Sequence, residues 1–284
     1  MSRIAYVNGR YRPIRAATVA IEDRGLQFAD GIYEVVKSLN GRPCDLERHL
    51  DRMQRSLAAL AIPMPASRAA MRAIIRQILR RNGLADALVY IQVDRGVAAR
   101  NHLFPKAIRP SLIMTARRAV LPGAKELGHG VAVVTLPDQR WKRCDIKSVN
   151  LLANVLARQQ GKEAGAREVW LYDEAGMVTE GSSSNAYIVD QAGRLVTHPL
   201  GPQILGGVTR SVVLELARAD GIDVVERPFS LEEAAQAREA FLTSTSSLVL
   251  PVTSIDGRPV ANGMPGSIAT RLLELYREHL RRAA

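Results

Sequence analysis

Two side chains in this sequence have the types needed for chemistry between an amine and a carbonyl. Lys147 lies in Arg140-Trp141-Lys142-Arg143-Cys144-Asp145-Ile146-Lys147-Ser148-Val149-Asn150-Leu151-Leu152. Glu180 lies in Val178-Thr179-Glu180-Gly181-Ser182-Ser183-Ser184-Asn185. A lysine amine forms a Schiff base with an aldehyde once it has lost its proton, and partial burial favours that loss. Most lysines are simply solvated. Here Ile146 precedes the lysine, and Leu151, Leu152, Val155 and Leu156 follow it. That run is expected to bury the next helix and to desolvate the amine. Glu180 stands at the mouth of a small-residue loop, where a carboxylate is ordinarily in water. Its other possible use is to hold a cationic ring nitrogen.

A dianion could be held nearby in sequence terms. Ile204-Leu205-Gly206-Gly207-Val208-Thr209-Arg210 runs from a turn into a helix, whose first N–H groups suit a phosphate. Most Gly-Gly turns have no such use. Thr243-Ser244-Thr245-Ser246-Ser247 could add hydroxyl donors, and Arg52 a counter-charge, though Arg52 is one arginine among many. An amine, a carboxylate and a phosphate cradle together fit pyridoxal 5'-phosphate (PLP). Arg100 and His102, two apart in the extended stretch Arg95–Pro105, can point to one side and grip a substrate carboxylate. Tyr33, on one strand face with Gly31 and Val35, could add its hydroxyl. Taken alone, the stretch reads as a mobile basic loop and Tyr33 as a half-buried strand tyrosine.

These residues need a scaffold, and 284 residues with 47% apolar side chains can supply one large or two medium domains. Tyr6–Pro13 reads as two short strands around Asn8-Gly9, and Gly31–Leu39 as a strand. Helices are expected over Asp45–Leu60 and from Ser67 to Arg81, then strands at Leu88–Val93 and Ser111–Thr115. This gives a small α+β region over 1–120, a linker at 121–123 and a larger region over 124–284. The larger region should hold a strand at Val131–Thr135, a helix at 150–164 and a strand at Glu168–Tyr172. A hairpin at 185–198, a helix at Val208–Ala219, strands at Val224–Arg227 and Ala240–Ile255, and a helix at Ser267–Leu280 complete it. The expected class is thus α+β to α/β, its second region a mixed, barrel-like sheet with outer helices.

The formal charge is +11, but no long Lys/Arg block or nucleic-acid motif concentrates it. Arginine supplies most of it, leaving Lys37, Lys106, Lys125, Lys142, Lys147 and Lys162 as the only amines for an imine. The two cysteines, Cys44 and Cys144, read as free thiols in a reducing cytoplasm, and no segment has the length and apolarity of a membrane span or signal peptide. The five histidines lack metal-ligand spacing, so no metal is expected. Neither a hydrolase nucleophile elbow nor a Gly-x-Gly-x-x-Gly loop is present.

Several segments together resemble the class IV (fold type IV) PLP-dependent aminotransferases, and most of all their bacterial D-amino acid branch. They are Glu22-Asp23-Arg24-Gly25, Phe28 to Val35, His49-Leu50-Asp51-Arg52, Arg100-Asn101-His102, Arg143 to Ser148, Thr179 to Asn185 and Thr243-Ser244-Thr245. The resemblance implies that Lys147 carries the cofactor at a domain interface and Glu180 faces its pyridine nitrogen. It implies phosphate contacts from Arg52, Val208, Thr209, Ser244 and Thr245, with Leu205 against the ring. Tyr33, Arg100 and His102, with Ser182 and Ser183, would receive the substrate, the Arg-x-His pair reaching in from a neighbouring copy in a homodimer. The implied activity is transfer of an amino group between a D-amino acid such as D-alanine and a 2-oxo acid such as 2-oxoglutarate. A branched-chain L-aminotransferase or an aminodeoxychorismate lyase on the same scaffold is the alternative within the enzymes. A basic nucleic-acid binder or non-reacting PLP carrier is the alternative outside them.

Overall fold

Alternation in Gly31–Leu39 sends Ile32, Glu34 and Val36 to one face of a strand and Tyr33 and Val35 to the other. The computed structural model describes residues 3–283. The chain forms two units. The first takes the residues up to Ala119, Ile146–Asn150 and the chain end from Leu280; the second takes Val120–Asp145 and Leu151–His279. Lys147 therefore sits in a short segment of the first unit, although it lies inside the stretch 124–284.

The first unit consists of β1 (Ile4–Val7), β2 (Arg10–Pro13), α1 (Arg24–Phe28), β3 (Gly31–Leu39), β4 (Arg42–Pro43), α2 (Leu46–Ala59), α3 (Arg68–Arg81), β5 (Ala87–Asp94) and β6 (Ser111–Arg118). Its sheet runs β2-β1-β6-β5-β3-β4, every pair antiparallel. Asn8 and Gly9 both take positive φ, as a tight hairpin turn requires. The amphipathic α2 and α3 bury Leu50, Met53, Leu57, Met71, Ile75 and Ile78 against Ile32, Val36, Val89 and Ile91. Ser67 caps α3 by accepting from Ala70 N. The helix α1 is absent from the sequence reading. Its five residues include a glycine and are too few for periodicity, and the Asp23 side chain starts it by accepting from Gly25 N.

The second unit begins with α4 (Ala124–His129), which Gly123 of the expected linker starts, followed by β7 (Val131–Pro137), α5 (Leu152–Glu163), β8 (Glu168–Tyr172) and β9 (Val178–Gly181). Then come β10 (Asn185–Val189), β11 (Leu195–Thr197), α6 (Val208–Ala219), β12 (Val224–Glu226), α7 (Leu231–Ala235), β13 (Glu239–Ser244), β14 (Leu248–Ile255), β15 (Arg258–Pro259) and α8 (Ser267–Ala283). The sheet order is β12-β11-β10-β13-β14-β7-β8-β9, with β15 on β14. Its β11–β12, β14–β7 and β7–β8 pairs are parallel and the rest antiparallel, so it is a mixed sheet. Among the described residues no helix is long and apolar enough to cross a membrane.

One expectation is corrected here. The large apolar residues of α5 do not bury it: Leu152, Val155 and Leu156 are 68%, 59% and 52% exposed. The helix packs inward through small residues instead. Ala153 and Ala157 line a recess with Leu136, Pro137 and Leu171, and Gly161 lies against Val169. Small residues let the helix backbone approach the sheet closely, which turns the bulky positions outward.

Candidate active site

The lysine owes its position to β3. Lys147 O accepts from Tyr33 N at 2.9 Å, Val149 N donates to Gly31 O at 3.1 Å, and Ile32 and Ser148 form an isolated bridge. Lys147 N also donates to Ser56 Oγ of α2 at 3.2 Å. The segment is thus laid along β3 as a short extra edge, with Ile146 in the core beside it. Lys147 itself is half-buried, and its Nζ lies 4.1 Å from the ring centroid of Tyr33. Tyr33 is fixed in turn by stacking on Tyr90 at 5.7 Å.

Arg52 lies on the inward face of α2 and forks Glu34, its Nε and one terminal nitrogen each 2.7 Å from a carboxylate oxygen. His49 Nδ1 meets the same carboxylate at 2.8 Å. Burial raises the Glu34 pKa, but the Arg52 charge and hydrogen bonds, helped by His49, outweigh it and hold the carboxyl well below its ordinary range. Arg52 is therefore a cation locked in one orientation. Arg100 and His102 are exposed, and both rest against Phe28: the Arg100 guanidinium is 4.7 Å and the His102 ring 5.3 Å from its centroid.

In the second unit Glu180 lies on β9, not in a solvated loop, and is 5% exposed. Its Oε1 accepts from an Arg140 terminal nitrogen at 2.5 Å, and its Oε2 accepts from Asn185 Nδ2 and Leu205 N, each at 3.0 Å. Arg140 also forks Asp138 at 2.9 and 2.7 Å, and Thr179 Oγ1 donates to Asp138 at 2.8 Å. Burial opposes the Arg140 charge, but the hydrogen bonds and charge of Asp138, with the charge of Glu180, override it and raise the pKa. Leu205 thus meets Glu180 through its backbone.

The following turn is shaped by Gly207, where a Cβ would fall 2.2 Å from Asn185 Oδ1. Gly207 starts α6 without any side-chain cap, and Val208 and Thr209 are buried in its first turn. Thr209 Oγ1 meets Tyr276 OH at 3.2 Å. Ser244 ends β13, its Oγ accepting from Ser247 N at 3.0 Å, and Thr245 is half-buried in the turn after it. Ser182 and Ser183, expected on the substrate side, turn their hydroxyls to the buried carboxylate of Glu168, which Ser184 also reaches.

Glu34, Asp138, Arg140 and Glu168 carry these arrangements and were not singled out from the sequence. Asp138 and Arg140 have a short-range signal, the Asp-x-Arg spacing that lets one fork the other. The Arg140–Glu180 and Glu168–serine links each join a strand carboxylate to loop residues distant in sequence and have none.

The donor set fits PLP. Within the second unit an acceptor-only carboxylate with fixed oxygens accompanies a helix start that only glycine fits, with no capping side chain to compete for an anion. The first unit supplies a half-buried primary amine on a rigid edge.

A family model described as amino-transferase class IV matches residues 31–255. A D-alanine aminotransferase from Bacillus licheniformis is 40% identical over 261 residues, covering 92% of this chain and 91% of its own length. One from Staphylococcus epidermidis is 35% identical, covering 97% of each chain. Among solved structures, a branched-chain amino acid aminotransferase from Escherichia coli superposes with a TM-score of 0.90 at 23% identity, covering 99% of this chain and 95% of the other. Another, from Thermoproteus uzoniensis, gives a TM-score of 0.88 at 25% identity, covering 99% and 96%.

Proposed function

The chain belongs to the class IV aminotransferases, and from that premise we propose that it moves the amino group of a D-amino acid such as D-alanine to a 2-oxo acid such as 2-oxoglutarate. The similarity to D-alanine aminotransferases over nearly the whole chain carries this reading. The likeness to branched-chain enzymes, at 23% identity in the first case, speaks for the fold alone. The cofactor is pyridoxal 5'-phosphate. When bound, it supplies an aldehyde that takes up the amino group and a ring that draws electrons from the donor α-carbon.

The chain's own residues then have distinct tasks. Lys147 Nζ would hold the cofactor and, as a free amine, would take the donor's α-proton and return it on the way to the product. The main-chain tether to β3 limits where that nitrogen can go, so the proton moves over a short, fixed path. Glu180 would hold the cofactor's ring nitrogen and favour its cationic form; Arg140, Asn185 and Leu205 N fix its oxygens. Val208 and Thr209 N–H groups, Ser244, Thr245 and the Arg52 cation would hold the phosphate, and Leu205 would pack on the ring. Tyr33, Arg100 and His102 receive the donor. Ser183 would meet the donor through its backbone, since Glu168 takes the hydroxyls of Ser182 and Ser183, and Ser182 spends its N–H on Val169 O and its carbonyl on Asn154 Nδ2.

The enzyme works as a cytoplasmic homodimer in which Arg100 and His102 serve the neighbouring copy. The exposed Leu152, Val155 and Leu156 of α5 and Leu103 and Phe104 of the loop support association. Free Cys44 and Cys144 suit a reducing compartment.

Borohydride reduction of the yellow holoenzyme followed by peptide mapping tests the lysine. Cofactor should be fixed to Lys147 and to none of the other five lysines; a label elsewhere sinks the assignment. D-alanine and L-leucine, each with 2-oxoglutarate, test the donor. Turnover of L-leucine alone would move the protein to the branched-chain reading.

A further inference from the structure

The loop that bears Arg100 and His102 lies on a bed made by one short stretch, Glu22–Phe28. Arg24 N donates to Gly96 O at 2.9 Å, Ala98 N donates to Glu22 O at 3.1 Å, and Asp23 and Val97 form an isolated antiparallel bridge. Gln27 Nε2 bridges Glu22 O and Ala98 O at 2.8 and 3.0 Å. Further along the loop, side chains take over. Arg24, 3% exposed, donates from a terminal nitrogen to Asn101 O at 2.5 Å, the carbonyl between Arg100 and His102. Its Nε is fixed on Asp30 Oδ2 at 2.8 Å, and Arg95 forks the same carboxylate. The Arg24 guanidinium also lies 4.8 Å from the Phe28 centroid, so one ring collects Arg24, Arg100 and His102.

An exposed arginine samples many rotamers, and binding a carboxylate would have to order it. Stacking on Phe28 and anchoring of the next carbonyl remove much of that freedom in advance. The planar guanidinium of Arg24 suits this task, because fixing its Nε on Asp30 aims the remaining nitrogens. We infer that Arg24 is a positioning residue for the substrate carboxylate: through Asn101 O and Phe28 it presets Arg100 and His102 without touching the substrate, an inference that rests on the proposed role of that pair.

Holoenzyme kinetics with D-alanine and 2-oxoglutarate test it in a double-mutant cycle. Arg24→Gln should raise KM for D-alanine about tenfold, with kcat within about threefold and PLP affinity, read by absorbance titration, unchanged. Arg24→Lys should fall between it and the natural enzyme. In an Arg100→Ala background Arg24→Gln should add almost nothing, because its effect passes through Arg100. If Arg24→Gln does not fold, Phe28→Leu, which leaves the Arg24–Asp30 pair in place, should raise KM in the same non-additive way. An unchanged KM in a folded Arg24→Gln or Phe28→Leu, effects that add to Arg100→Ala, or a parallel loss of kcat and PLP affinity would overturn the inference. If Arg100→Ala itself leaves KM unchanged, the reading of the carboxylate grip fails and this inference falls with it. If Arg100→Ala raises KM and Arg24→Gln does not, only the inference falls.

Discussion

Arg140 shows how one buried side chain can fix the state of another. Its side chain is 7% exposed and bridges Asp138 and Glu180, so Glu180 cannot reorient without breaking an ion pair. Arg140→Met would leave two shielded carboxylates facing each other without their cation. Removing one partner of a buried pair costs about 3–5 kcal/mol. A fall of that size in urea-unfolding stability is expected, with weaker PLP binding; an unchanged midpoint would mean the bridge does not hold the strand. Asp94 poses the opposite case. Burial pushes its carboxyl up to about 7, the Gln92 amide works the other way, and the Asp23 carboxyl hydrogen-bonded to it adds to the rise. A folded-state pKa above the unfolded one means that the folded chain binds the extra proton. This contribution to stability is complete below about pH 4 and is lost as pH rises through about 7. Asp94→Asn mimics the protonated form and can still pair with Gln92 and Asp23. Melting temperatures across pH 4–8 should therefore fall less steeply in Asp94→Asn than in the natural protein. Equal slopes would remove Asp94 from the pH dependence.

At the scale of elements, what the sequence reveals depends on the range of the forces involved. The Asn8-Gly9 hairpin, the Ser67 cap and the α2 stripe are local, and the sequence alone places them within a few residues. Lys147 and Glu180 stand out for a similar reason, since residue type and immediate neighbours mark them. The Arg140–Glu180 and Glu168–serine links were not legible, because each joins a strand carboxylate to loop residues many positions away in sequence. The α5 helix misleads for a third reason. A large apolar side chain is read as buried, yet close packing on a sheet can favour small ones. Gly161 tests this. Alanine is about 1 kcal/mol better than glycine inside a helix, so Gly161→Ala should stabilise an unpacked one. Here the new methyl would lie 2.4 Å from Cγ2 of Val169, a stiff β-branched neighbour with no exposed surface. Overpacking typically costs about 1–3 kcal/mol, so a net loss in urea-unfolding stability is expected. A gain would show that the helix does not sit tightly on β8.

For the whole molecule the proposed homodimer raises the question of how a chain with a formal charge of +11 would pair with its own copy. Like charge opposes association, most strongly at low ionic strength. In such a dimer the attraction would come largely from apolar surface, and α5 offers Leu152, Val155 and Leu156 at i, i+3 and i+4 on one exposed stripe. The two sources of affinity respond oppositely to salt. An interface of ion pairs weakens as salt screens them, whereas an apolar interface between two cations tightens because screening weakens their repulsion. Sedimentation velocity should therefore show a dimer that persists or strengthens from low to moderate salt. Val155→Glu places a charge in the middle of the stripe and should shift the protein toward monomer. Because the side chain is already 59% exposed in the single chain, the folded protomer should keep its melting temperature when measured at dissociating concentrations. A dimer that survives Val155→Glu would put the interface elsewhere, and one that dissolves with added salt would make it electrostatic.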